Sequence, residues 1–168
     1  MGLDIAAYRG IKLIDTCDME TWETKHDWKS TTHIWPAYVD GSPYPKHLEG
    51  GSLVPNGVYT YEEAVGFRAG SYSGYNNWRE ALSIFALGVR PTKVWNDPAR
   101  FQDRPFYYLI NFSDCEGIIT GNAAKVLLAD FDAHSERVHA LAPGLVHTYD
   151  NFHAAFKLAV QDGFVYFL

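Results

Sequence analysis

Hydrophobic and polar residues alternate at the start of the chain, which is the pattern of a β-strand with one buried face. The alternation covers residues 3–8, and after a turn at 9–10 it returns over residues 11–14, so the pattern predicts a hairpin. Further short runs rich in aromatic and branched residues predict strands at 58–61, 66–69, 106–112 and 164–168.

Apolar residues recur at helical spacing in three later segments. The clearest helix is predicted near Asn77, whose spacing to Glu80 resembles a capping box, and it should end at Gly88. A second helix is predicted from about Asn122, and a third after residues 143–144. Strands dominate early and about three helices follow, which favours an α+β fold with the helices packed on a mainly antiparallel sheet.

No periodicity can be read from about residue 17 to residue 56. Scattered tryptophans, prolines and glycines interrupt this segment. A structureless stretch of this length is uncommon inside a compact domain, so it is either an insertion that covers a site or a region whose elements cannot be recognised. The chain of 168 residues is nevertheless short enough to predict a single domain over 1–168.

Composition and charge exclude several classes of function. Hydrophobic residues make up 47% of the chain and charged residues 20%, which is typical of a folded domain. The formal net charge of -6 argues against broad nucleic-acid binding, because phosphate neutralisation needs a cationic face. Two distant cysteines, no signal-peptide pattern and no long apolar run lead us to expect a reduced, cytoplasmic protein without a membrane partner.

The stretch 66–80 is the strongest candidate for a binding site. It combines glycines, hydroxyls, aromatic rings and two arginines before a predicted helix, whose N-terminal N–H groups favour anions. Arg68 and Arg79 would hold an anionic group while an aromatic ring stacks on the ligand, Trp78 being the weakest choice because its spacing points to the core. The predicted ligand-binding residues are Arg68, Ser71, Tyr72, Ser73, Tyr75, Asn76 and Arg79.

A plainer interpretation of this stretch stays open. Its aromatic residues would then fill the core, and its arginines would pair with neighbouring glutamates. The spacing of its glycines matches neither a P-loop nor a dinucleotide-binding fingerprint.

The loop at 113–117 is the second candidate, because a strand ending there would present polar groups at its end. Asp114 and Glu116 could accept hydrogen bonds from ribose hydroxyls or base amines, bind a divalent cation, or act as general acid and base. Cys115 could be a nucleophile if a histidine activated it. The alternative is that Asp114 caps a local turn and Cys115 is a small core residue.

Asp4 is the third candidate, and we expect it to pair with Arg68 or Arg79 in a structural role. If it converges with Asp114 and Glu116, a metal site becomes possible. The seven histidines form no readable metal-binding pattern. No metal ligand is therefore predicted, and the sequence identifies no cofactor.

Residues 1–5, the stretch 66–80 and the Ile-Asn-Phe-Ser-Asp-Cys-Glu-Gly stretch at 110–117 resemble a group of small uncharacterised proteins of bacteria and their phages. The resemblance implies no activity, cofactor or catalytic residue. A phage-linked setting suggests, by analogy alone, the capture or degradation of a host signalling molecule.

The leading hypothesis is a cytoplasmic protein that binds a small, polar, nucleotide-like ligand between the stretch 66–80 and the loop 113–117. One alternative is a hydrolase or transferase on a similar substrate, using Asp114 and Glu116 with or without a divalent metal, and with Cys115 as a further catalytic candidate. Another is an interaction module or an inhibitor of a host protein. A homo-oligomer also stays open.

Overall fold

The computed structural model describes residues 2–17 and 26–168, and in these residues two antiparallel sheets are combined with six α-helices. The strands are β1 (Gly2–Arg9), β2 (Lys12–Thr16), β3 (Thr31–His33), β4 (Gly57–Thr60), β5 (Glu63–Ser71), β6 (Gly117–Thr120) and β7 (Phe164–Phe167). The helices are α1 (Tyr72–Leu87), α2 (Pro91–Asn96), α3 (Pro98–Phe101), α4 (Tyr107–Ile110), α5 (Gly121–Leu141) and α6 (Val146–Ala159). The predicted α+β fold is confirmed.

The larger sheet has the strand order β5-β1-β7-β6, with every neighbouring pair antiparallel. Its main core face packs against α1, α5 and α6, and alternation along β1 buries Leu3, Ile5 and Ala7 on that side. The opposite face meets the smaller sheet, of order β2-β4-β3, and the segment after it. A second cluster fills this layer, made of Ile34, Tyr59, Ile118, Phe164 and Tyr166.

The predicted hairpin between β1 and β2 is wrong. The chain does turn at Gly10, but β2 pairs with β4 in the smaller sheet. The N–H groups of Gly10 and Ile11 donate to the carbonyls of Gln161 and Asp162, each at 2.9 Å. The turn is thus tied to the end of α6, which directs the next strand away from the first sheet.

Helix α1 begins earlier than the Asn77–Glu80 spacing predicts. Ser71 caps it, because the Ser71 hydroxyl accepts a hydrogen bond from the N–H of Gly74 at 3.0 Å. Gly88 ends the helix in the left-handed conformation, with φ of 70°. Residues 72–76 therefore form the first turn of the helix, where the sequence analysis expected a loop.

The strand predicted at 106–112 is also wrong, because the structure has the single-turn helix α4 there. Phe106 adopts a positive φ of 60°, and its N–H donates to the Asp130 carboxylate at 2.8 Å. The side chains of Tyr107, Leu109 and Ile110 are buried in the main core. As a result, the loop 113–117 leads into β6, which was not predicted, and does not follow a strand.

The segment from 17 to 56 contains short elements in its described part, while residues 18–25 lie outside the described residues. It holds β3 and two 3-10 turns, Pro36–Tyr38 and Pro45–His47, each with proline at its first position. Three-residue elements are too short to show a hydrophobic period. Other predictions are confirmed: β4, β5, β7, α5 and α6 all match the expected segments.

The helices α2, α3 and α4, of six, four and four residues, raise the helix number above the predicted three. Among the described residues, no helix combines the length and the apolar character that crossing a membrane requires.

Replacing Gly163 with alanine should destabilise the fold strongly. A methyl carbon at this position would lie 1.8 Å from the carbonyl oxygen of Tyr8, so the junction between β1 and β7 would have to move. We expect a loss of about 3 kcal/mol in the free energy of unfolding, measured by urea denaturation. Gly144→Ala is the matched control, because a methyl carbon there meets open space. Equal effects in the two variants would contradict this account of the junction.

Candidate functional site

A pocket of about 230 Å³ lies between the 43–47 segment and α4. It is lined by Pro43, Tyr44, Pro45, Lys46, His47, Tyr107 and Asn111. This volume is below the roughly 300–1,000 Å³ typical of sites for drug-sized ligands. The pocket therefore suits one planar ring better than a whole extended ligand, and we call it the ring pocket.

Aromatic packing holds the 43–47 side of the ring pocket in place. Pro45 begins a 3-10 turn that brings the rings of Tyr44 and His47 together at 5.4 Å between centroids. Both rings also lie 4.8 Å from the ring of Phe112, with His47 stacked on it. The walls are thus fixed by contacts between segments that are distant in sequence.

His47 is the most unusual residue of the ring pocket. Only 3% of it is exposed, and burial lowers its pKa to about 4, so the imidazole is neutral at pH 7. Its Nε2 lies 2.7 Å from the carbonyl oxygen of Tyr108. Because a carbonyl only accepts hydrogen bonds, Nε2 carries the proton and Nδ1 is left as an acceptor. Within the described residues, Nδ1 has no hydrogen-bond partner.

Two more polar side chains line the ring pocket. The Asn111 amide Nδ2 donates to the Tyr107 hydroxyl at 2.9 Å, which fixes the orientation of the amide and leaves its oxygen as a further acceptor. Lys46 is exposed, and its Nζ donates to Gln102 Oε1 at 3.4 Å. The lining of the ring pocket therefore combines aromatic rings with a neutral imidazole, an amide and one exposed cation.

A polar network centred on the buried Arg79 lies beside the ring pocket and joins α1 to the chain after α4. Arg79 is 4% exposed, and its Nη1 donates to the carbonyl oxygen of Phe112 at 2.7 Å. Its Nη2 donates to Asn76 Oδ1, while Asn76 Nδ2 donates to Asp114 Oδ2 at 2.5 Å. Asn76 and Arg79 reach each other because residues three apart share a helix face. We call this set the Arg79 network.

The guanidinium of Arg79 is further enclosed by aromatic rings. It lies 5.4 Å from the ring centroid of Tyr75 and 5.2 Å from that of Trp95. The network also reaches the ring pocket electrostatically through Tyr44. Burial raises the pKa of Tyr44, the charge of Arg79 lowers it, and Asp114 raises it.

The carboxylates of the loop 113–117 are held by different elements. Asp114 is held by Asn76 of α1, whereas Glu116 accepts a hydrogen bond from the Tyr38 hydroxyl at 2.8 Å. Burial, followed by the contact with Glu116, raises the pKa of Tyr38 to about 12. Cys115 Sγ lies 3.4 Å from the Ser113 hydroxyl. The two carboxylates are therefore fixed by separate partners.

The local turn in this loop is capped by Ser113 and not by Asp114. The Ser113 hydroxyl accepts hydrogen bonds from the N–H groups of Cys115 and Glu116, at 3.3 and 3.1 Å.

Among the described residues, no group of three histidine, cysteine, aspartate or glutamate side chains is arranged to hold a metal ion.

Arg68 does not join Arg79 in a common anion site, which corrects the sequence-based interpretation. Arg68 forms two contacts of 3.1 Å with the Asp4 carboxylate, through Nε and Nη2, and its side chain is 60% exposed. Since the neighbouring Phe67 packs against the main core, alternation along β5 places Arg68 on the opposite face of the sheet. The expected structural pairing of Asp4 is confirmed.

The remaining predicted ligand-binding residues divide into two groups. Ser71 and Ser73 lie at the helix cap, with their hydroxyls 3.1 Å apart, and Tyr72 packs against the main core. Tyr75 is fully buried, and its hydroxyl has no partner among the described residues. The structure thus brings Tyr75, Asn76, Arg79 and Asp114 together. Trp78 is a core residue, as its spacing predicted.

Sequence reasoning missed the residues that line the ring pocket itself. Tyr44, Lys46 and His47 lie in the segment where no pattern was recognised, and Tyr107 and Asn111 lie in the misassigned strand. The one available signal was the placement of Tyr44 and His47 beside Pro43 and Pro45.

The fold and the site together define an α+β protein with a small aromatic pocket supported by a buried polar network. No protein-family model, curated protein or solved structure matches this chain.

The burial of His47 should make the protein sensitive to acid. Its pKa is about 4 in the folded protein and near 6.5 in the unfolded chain, so the unfolded chain binds more protons between these values. Stability is fully present above pH 6.5 and falls as the pH drops toward 4, by about 3 kcal/mol. His47→Gln keeps a donor for the Tyr108 carbonyl but cannot titrate. We expect this variant to lose less stability than wild type between pH 7 and pH 4.5.

Urea denaturation at a series of pH values checks this expectation. His139→Gln is the control, because His139 is exposed and its pKa is raised by contacts with Ser135 and Asp150. Parallel pH profiles for His47→Gln and wild type would refute the assignment of acid sensitivity to His47.

Removing the guanidinium of Arg79 should destabilise the protein by about 3 kcal/mol, because buried partners lose their donors. Arg79→Met retains most of the aliphatic stem, so the effect reports mainly the polar contacts. Arg90→Met is the control: Arg90 forms an exposed ion pair with Glu80 at 3.1 Å and should change stability by less than about 1 kcal/mol. Chemical denaturation measures both, and an equally small loss in Arg79→Met would show that the Arg79 network is dispensable.

Proposed function

We propose that the protein binds a small, polar, nucleotide-like ligand whose planar ring occupies the ring pocket. The observation that carries this proposal is the unpartnered Nδ1 of the buried, neutral His47. A buried acceptor without a donor is energetically unfavourable, and a ligand N–H group would satisfy it. Heterocyclic rings that carry N–H groups, such as nucleobases, offer this donor in the plane of a flat ring.

The other residues of the ring pocket fit the same class of ligand. Tyr44 and Tyr107 provide aromatic surface against which a flat ring can pack. The oxygen of the Asn111 amide adds a second acceptor for the edge of the ring. Lys46, at the border of the pocket, is available to an anionic substituent.

The stretch 66–80 contributes to this proposal through support and not through direct contact. Arg79 holds the Phe112 carbonyl, and the Phe112 ring is the surface on which Tyr44 and His47 pack. Lys46 would bind the anionic group of the ligand, the role that the sequence assigned to Arg68. In a phage-linked setting, such a protein would act by sequestering a host signalling nucleotide.

The geometry gives more support to binding than to turnover. A hydrolase or transferase that uses Asp114 and Glu116 needs both carboxylates to reach one substrate. In the structure Asp114 bonds to α1 and Glu116 to Tyr38, so each would first have to leave its own partner. Capture of an intact ligand needs no such rearrangement.

The proposal is tested by mixing the protein with a panel of nucleosides and of mono-, di- and cyclic nucleotides, with and without EDTA. Mass spectrometry then compares the ultrafiltrate before and after the protein is denatured. We expect one compound to be depleted and then recovered intact. His47→Gln and Asn111→Ala should each weaken its binding about tenfold, because the first replaces the rigidly held Nδ1 by a flexible amide and the second removes an acceptor.

Arg68→Ala is the matched control and should bind like wild type, since its partner is Asp4 on the other face of the sheet. Depletion of no compound, or equal binding by His47→Gln and wild type, would overturn the proposal. Recovery of a compound of different mass would show turnover instead of binding. The variants Asp114→Asn and Glu116→Gln would then show which carboxylate turnover requires.

A further inference from the structure

A second cavity, of about 420 Å³, lies where α1 ends and α2 and α3 begin. Six residues line it: Leu87, Val89, Lys93, Arg100, Phe101 and Arg104. Three of the six carry a positive charge, although the protein as a whole has a net charge of -6. We call this cavity the basic cavity.

The backbone around the basic cavity is held by short, well-anchored elements. Pro91 and Pro98 begin α2 and α3, and the buried side chains of Val94 and Phe101 fix both helices to the main core. The N–H of Arg104 donates to the Phe101 carbonyl at 2.9 Å, which continues the turn after α3. The three cations are thus carried by neighbouring elements with little backbone freedom.

The charges in the basic cavity are not compensated within the described chain. None of its three cationic side chains lies within 4.0 Å of a carboxylate in residues 2–17 and 26–168, whereas the nearby Arg90 pairs with Glu80 at 3.1 Å. Asp97 and Asp103 lie in the same segment of the chain but do not line the cavity. Like charges that line one cavity repel one another, and a bound anion would relieve that repulsion.

We propose that the basic cavity binds the phosphate groups of a small oligophosphate. Two guanidinium groups and one ammonium match the multiple charges and oxygens of a di- or triphosphate, whereas a single carboxylate would leave two of the cations unneutralised. Leu87, Val89 and Phe101 complete the lining with apolar surface, beside which the exposed cations remain accessible to a dissolved anion.

This inference goes beyond the proposed function and does not depend on it. The two sites are nevertheless neighbours along the chain, because Gln102, which contacts Lys46 at the ring pocket, lies between Arg100 and Arg104. The segment 100–104 therefore carries two cations of the basic cavity and also contacts Lys46 of the ring pocket.

Isothermal titration calorimetry with inorganic phosphate, diphosphate and tripolyphosphate tests the proposal at about 20 and 150 mM salt. We expect affinity to increase with the number of phosphates. Arg100→Gln and Arg104→Gln should each weaken tripolyphosphate binding about tenfold, since each removes a charge-assisted hydrogen-bond donor. Both side chains are exposed, so the variants should keep the melting temperature of wild type.

Arg90→Gln is the matched control, because it removes one positive charge from the same region outside the basic cavity. It should leave tripolyphosphate binding unchanged, as should His47→Gln, which affects only the ring pocket. Absence of binding would overturn the proposal. An equal loss in Arg90→Gln and Arg104→Gln would also overturn it, because it would show an adventitious ion only, held by general attraction. The probes here are inorganic anions, so the outcome of this titration does not depend on the outcome of the nucleotide panel.

Discussion

The arrangement around the ring pocket depends on one buried charge, the guanidinium of Arg79. Water cannot compensate this charge, so protein groups must, and the carbonyl of Phe112 and the amide of Asn76 do so. These contacts hold the chain after α4 against α1. The Phe112 ring is thereby fixed, and Tyr44 and His47 pack on it. A helix of the main core thus determines the shape of a pocket built by other segments.

Elements with a clear period could be predicted from the sequence, whereas shorter ones could not. Strand β1 and helices α5 and α6 bury one face over two or more repeats, so their pattern identifies them. The run at 106–112 is apolar almost throughout, and such a run is compatible with either a strand or a helix. Phe106 has a positive φ, stabilised by a contact with Asp130 of α5. This backbone conformation interrupts an extended strand, and the residues after it form a helix.

Polar residues of the candidate site could be predicted from the sequence where they lie close together on one helix. They could not be predicted where only tertiary contacts bring them together. Asn76 and Arg79 were found because both belong to a stretch with unusual composition, and Asp114 because it follows an aromatic run. Arg68 was misplaced because a single step along a strand reverses the face on which a side chain lies. His47 is important only through its burial against Phe112 and Tyr108, and no local pattern contains that information.

The order of strands in the larger sheet also has a consequence for how the protein is made. Strand β1 acquires β5 as a neighbour early in synthesis, but its other neighbour, β7, is the last of the described strands to be synthesised. Until then one edge of β1 exposes unpaired backbone groups, and β6 has no strand beside it. The larger sheet is therefore completed only after translation has passed residue 167, and the second edge of β1 stays unpaired until β7 is added.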